Sequence, residues 1–93
     1  MIKSFKDKNA WLLFHDRAAP KLPPSLQNVA RRKLAMLDSA TRIDDLRLPP
    51  GNRLEPLYSD RFGQWSIRIN DQWRLCFDWQ DGNAFEVEIV DYH

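Results

Sequence analysis

Residues 65–79, Trp65-Ser66-Ile67-Arg68-Ile69-Asn70-Asp71-Gln72-Trp73-Arg74-Leu75-Cys76-Phe77-Asp78-Trp79, alternate apolar and polar side chains on both sides of a short polar break. Strict alternation marks a strand with one buried face. The break Asn70-Asp71-Gln72 has hairpin length. A second break, Asp81-Gly82-Asn83, leads into a third alternating run, in which Phe85, Val87 and Ile89 are separated by Glu86 and Glu88. The C-terminal half is therefore expected to form an antiparallel meander of at least three strands with one apolar face. Trp65, Trp73, Phe77, Trp79 and Phe85 are assigned to that face as core, where large aromatics contribute most.

Upstream, the period changes from 2 to 3.6. Asp7 is placed to cap a helix through Ala10, Leu13 and Phe14, with Trp11 on its flank. The run Ala18-Ala19-Pro20-Lys21-Leu22-Pro23-Pro24 ends it, because proline cannot continue a helix interior. Ser25 is expected to cap a second helix whose stripe is Leu26, Val29, Ala30, Leu34 and Leu37. Arg31 and Arg32 fall outside the stripe, and Lys33 lies at its edge, reaching for water. Met1 to Phe5 alternates like a short strand. Residues 39–52 form a connector with a helical turn near Ile43 to Leu46 and turn chemistry at Pro49-Pro50-Gly51-Asn52; this is the segment expected to move most. The expectation is an α+β chain: an N-terminal strand, two helices on one sheet face, then the meander, all in a single domain of residues 1–93.

Composition limits the function classes. The apolar fraction of 43% is too high for a disordered chain. The single cysteine, Cys76, allows no intramolecular disulfide and no Cys-x-x-Cys site. Two distant histidines do not point to a metal centre, so no cofactor is expected. No run approaches the roughly 20 apolar residues of a membrane span, and the N-terminus has no secretion-signal pattern. A reducing cytoplasm fits these features. The net charge of +1 hides a split: residues 1–50 carry net +5 and residues 51–93 carry net −4. Such asymmetry fits either a surface that meets a polyanion or the solvated sides of two helices.

Two features carry candidate chemistry. On the polar strand face, Arg68 and Arg74 adjoin Glu86 and Glu88, an arrangement suited to cross-strand ion pairs or to arginines held ready for phosphate. The last strand runs into Asp91, Tyr92 and His93. An imidazole titrating near neutrality, an acid and a phenol are groups that acid–base chemistry on RNA needs. A solvated chain end is the other reading of those residues. Strand parity puts Asp91 and His93 on one side and Tyr92 on the other.

The runs Pro49 to Glu55, Gly63 to Phe77 and Val87 to His93, with Ile2-Lys3-Ser4-Phe5 and Arg32 to Asp38 agreeing more loosely, resemble the HigB branch of the RelE/ParE toxin superfamily, to which GraT-type toxins also belong. The resemblance implies a small microbial-RNase fold and a toxin of a type II toxin–antitoxin module. Its expected activity is ribosome-dependent cleavage of mRNA, which inhibits translation and growth. The implied partners are the ribosome, mRNA and a HigA-like helix-turn-helix antitoxin, with operator DNA reached only through that antitoxin.

The family's terminal Asp-Tyr-His falls on Asp91, Tyr92 and His93, its strand arginine on Arg74, and a position carrying histidine or glutamate on Glu55. Tyr58 stands where relatives often carry lysine. These correspondences imply metal-independent attack by the ribose 2′-hydroxyl. Glu55 or Asp91 would be the base, Arg74 the stabiliser of charge on phosphorus, His93 the acid and Tyr92 a stacking platform. Arg53, Arg61, Arg68, Arg31, Arg32 and Lys33 are the expected RNA contacts. A non-catalytic ParE-like toxin acting on a protein target, or a weakly active toxin serving its antitoxin in regulation, are the alternatives.

Overall fold

The alternation of residues 64–91 becomes a sheet in which each strand pairs with the next in sequence. The computed structural model describes residues 1–92, apart from the Ser59 side chain, so the expectation for His93 lies outside the described residues. Strands β1 (Glu55–Pro56), β2 (Gln64–Arg68), β3 (Trp73–Gln80) and β4 (Asn83–Asp91) form one antiparallel sheet in the order β1-β2-β3-β4. Helices α1 (Lys8–Phe14) and α2 (Pro24–Ser39) cover one side.

Register sorts the side chains into two layers. Ile67 lies opposite Leu75, and Leu75 opposite Ile89. With Phe77 and Val87 they meet Leu13, Leu26, Ala30, Leu34 and Leu37 in the core. Burying each of the larger side chains stabilises the fold by about 1.5–3 kcal/mol. Trp65, Trp73 and Trp79 pack against the edge of this core, as expected.

Phe85 does not join it. Cys76 pairs with Glu88 but Asp78 pairs with Phe85, so Glu86 and Val87 together oppose Phe77. Two residues against one make a β-bulge, and Glu86 takes φ 52°. The bulge reverses parity along β4. Fully buried Ala84 occupies the core side, while Phe85 falls on the side of Asp78.

The N-terminal segment is tied to this bulge and is not a continuous strand. Ile2 and Phe5 make separate parallel bridges to Ala84 and Val87. Between them Ser4 Oγ accepts from the Glu86 N–H at 2.8 Å. The side chain of Glu86 turns to Ser4, away from the expected pairing with Arg68 or Arg74.

Asp7 caps α1 as expected, accepting from Ala10 N–H at 2.7 Å, and its second oxygen accepts from Ile89 N–H at 3.0 Å. One carboxylate thus fixes the helix to β4. Helix α2 starts two residues earlier than a Ser25 cap predicts, with Pro23 as N-cap and Pro24 in the first turn. Proline suits that position because its fixed φ is already helical and it has no N–H to leave orphaned.

The connector has its own anchors. A 3-10 turn spans Ile43–Arg47, where Asp45 accepts from the N–H groups of Thr41 and Arg42, both at 3.0 Å. Asn52 is fully buried. It donates to the Leu46 and Leu48 carbonyls at 3.1 and 3.3 Å and accepts from Lys33. The second hairpin turn puts Asp81 and Gly82 at φ 54° and 79°, the geometry that matches strand twist in two-residue hairpins. A Cβ on Gly82 would also lie 3.0 Å from the Thr41 carbonyl oxygen.

Candidate active site on the open sheet face

The sheet side away from the helices carries the even-numbered residues of β2 and β3. Arg74 is its centre. The side chain is only 11% exposed, which is unusual for a charged group and requires partners. Its Nε donates to Ser66 Oγ at 2.9 Å, and its Nη2 donates to the Arg53 carbonyl at 2.7 Å. Glu55 Oε1 lies 3.6 Å from Nη2.

The sequence explains this arrangement locally. Glu55 and Cys76 both pair with Ser66, so they flank one hydroxyl across three strands. Arg53 adopts the left-handed region, φ 46°, which turns its carbonyl toward Arg74. Among the described residues no hydrogen bond occupies Nη1 of Arg74. The guanidinium is therefore held in one orientation with donor capacity in reserve.

Arg74 pairs with Val90, so Tyr92 shares its face, and the guanidinium carbon sits 5.7 Å from the Tyr92 ring centroid. That is cation–π range. Tyr92 is partly exposed, and its N–H donates to the Gln72 carbonyl at 2.6 Å, which fixes the chain near its end. Asp91 pairs with Trp73 on the opposite parity and accepts from Gln72 Nε2 at 3.2 Å. The structure thus brings together Arg74, Glu55, Tyr92 and the Arg53 backbone. It sets Asp91 to the side of that group.

The expected RNA contacts divide. Arg61 donates to Glu88 and Gln64, both at 3.2 Å, and the Glu88 bond raises its pKa. Lys6 Nζ lies 3.4 Å from the same Glu88 oxygen. Glu88 is therefore paired, but with Arg61 and Lys6 where Arg68 and Arg74 were expected. Arg68 pairs with Asp71 of its own hairpin. Arg31 is committed to the helical layer, donating to the Arg17 carbonyl at 3.0 Å and lying 3.4 Å from Asp16. Arg32 is exposed. Lys33 does not reach for water but binds Asn52. Burial lowers its pKa, and Arg32 and Arg68 add to that shift.

Cys76 forms the buried floor beneath Arg61, Glu88, Arg74 and Glu55. Burial pushes its thiol up to about 11, so it is a neutral filler and not a nucleophile. Sequence reasoning missed Ser66, Gln64, Asp78 and Lys6. For the first three, shared parity with Arg74 was the available signal. Lys6 reaches the face only through the fold.

A family model for HigB-like toxins, described as the RelE-like toxin HigB of a type II toxin–antitoxin system, matches residues 3–93. Toxin HigB-1 of Vibrio cholerae is 46% identical over 90 residues, covering 96% of this chain and 95% of that one. Endoribonuclease HigB of Proteus vulgaris is 37% identical over 93 residues, covering 100% of both. Among solved structures, YafQ from E. coli aligns with a TM-score of 0.65 at 16% identity, covering 98% of this chain and 91% of that one. The YoeB–YefM complex from Staphylococcus aureus gives 0.58 at 17%, covering 100% and 98%. At those identities the structural likeness is one of fold.

Proposed function

This chain belongs to the HigB family of RelE-like toxins of type II toxin–antitoxin systems, and from that premise we propose that it is an endoribonuclease whose open sheet face cuts mRNA on the ribosome. The observation that carries the reading is the cradle of Arg74. A nearly buried guanidinium, fixed by Ser66 and the Arg53 carbonyl, adjoins both a carboxylate and an aromatic ring.

In the proposed step, the ribose 2′-oxygen attacks the adjacent phosphorus. Glu55 takes the 2′-proton. Its closeness to Arg74 favours it over Asp91 as base. The bond from phosphorus to the 5′-oxygen breaks, and the leaving oxygen receives a proton from His93. The products are a 2′,3′-cyclic phosphate and a 5′-hydroxyl. Arg74 stabilises the charge that builds on the phosphoryl oxygens. Donors fixed in advance are most effective there, because they need no reorganisation during the reaction. Tyr92 stacks on a base beside the cut.

The partner is an antitoxin, for which we propose a helix-turn-helix protein that alone contacts operator DNA. Among the described residues no helix is long and apolar enough to cross a membrane, and the ribosomal substrate places the proposed activity in the cytoplasm.

The test is induced expression with and without the antitoxin, followed by mapping of mRNA ends. New ends within translated regions, suppressed by the antitoxin and absent from a chain lacking Tyr92 and His93, are expected. Unchanged ends in that truncated chain would remove the tail from the mechanism.

A further inference from the structure

The open face does not end at Arg74. Four residues further along β3 it reaches Asp78, about 13 Å away at roughly 3.3 Å per residue. There a cavity of about 340 Å³ is lined by Lys6, Asp60, Arg61, Phe62, Gln64 and Asp78. Nothing in the proposed cleavage step uses it. Its floor is rigid, because Arg61 is locked between Gln64 and Glu88. Its rim is not satisfied in the same way. Phe62 is 80% exposed, and among the described residues Asp78 and Asp60 have no ion-pair partner.

We propose that this cavity is a nucleobase subsite for a nucleotide flanking the scissile phosphate, and that it selects a base bearing an exocyclic amino group over uracil. The inference rests on the nuclease reading and names a specificity element within it. The chemistry follows from the lining. Phe62 offers an aromatic face that accepts any base by stacking. Asp78 is an acceptor-only group, and carboxylates pair with amino donors such as cytosine N4. Uracil has no exocyclic amino group: its O4 is repelled by that carboxylate, and only the N3–H between its two carbonyls is left to donate. Lys6 supplies a cation for the backbone phosphate, with Arg61 beside it. The cavity opens on the same sheet face as Arg74, so one strand of RNA can lie across both.

The experiment maps cleavage ends on one mRNA pool with translating ribosomes, for wild type, Asp78→Asn and Phe62→Ala, each checked for an unchanged melting temperature. Wild type is expected to deplete uracil at one position flanking the cut. Asp78→Asn should reduce that depletion about tenfold, because an amide also donates. Phe62→Ala should slow cleavage about tenfold across all sites while preserving the preference. If wild type cleaves but Asp78→Asn keeps the same base preference, the subsite is overturned and the nuclease reading stands. If wild type cuts no RNA under these conditions, both fall.

Discussion

Strand β3 serves two faces with opposite demands. On one, Leu75 and Phe77 are fully buried among helix residues. On the other, Arg74 and Asp78 flank the buried Cys76 on the side away from the helices. The covered face is held by shape, where a missing methylene leaves a void. The open face is held by hydrogen bonds that fix charged groups before any substrate arrives. Neighbouring residues therefore differ in what their loss should damage: folding on one side, chemistry on the other.

The largest expected effect is on the covered side. Phe77→Ala should lose about 3–5 kcal/mol of stability, read as a lower denaturation midpoint, and should lose activity only through unfolding. Arg74→Ala is the contrasting change. It should cost about 1 kcal/mol of stability through the orphaned Ser66 hydroxyl, yet slow RNA cleavage about 100- to 1,000-fold. If Arg74→Ala instead cleaves at the wild-type rate, the functional half of the contrast fails.

Asp7 spans the boundary, because it caps α1 and binds β4. Asp7→Ala should cost about 1–2 kcal/mol without a specific effect on cleavage by the folded fraction.

The smallest effect concerns pH. Burial, foremost, raises the Asp7 pKa, with Glu88 adding to it, while the N–H bonds from Ala10 and Ile89 oppose it. A carboxyl whose folded pKa lies above its unfolded value binds more protons when folded. Its contribution is therefore greatest at low pH and is lost as pH rises through the folded value. Asp7→Asn removes this titration. Its stability deficit relative to wild type should shrink as pH rises from about 3 to 6, in denaturation series at matched salt. A constant deficit would place the Asp7 carboxyl at its ordinary value.

Much of this molecule was legible because it is local. Period-2 runs fixed which side of β2 and β3 is apolar, and a period-3.6 stripe fixed the buried face of α2. The α1 cap at Asp7 and both hairpin breaks also rest on neighbouring residues. Arg74 stood out on the polar strand face and Glu55 only through the family resemblance, and parity alone placed Tyr92 apart from Asp91. The bulge at Glu86 was not legible. Its sequence alternates without interruption, and the chain supplies the cause from far away, where Ser4 bonds to the Glu86 N–H. That contact moved Phe85 to the open face and drew Glu86 from its expected partners. The roles of Arg31 and Lys33 were hidden in the same way, since their partners Asp16, Arg17 and Asn52 come from separate turns. Sequence by itself determined the two faces of β2, β3 and the helices, because side-chain direction repeats with the backbone. Only the tertiary structure decided which charges are already spent, because an ion pair is made between segments that no local pattern relates.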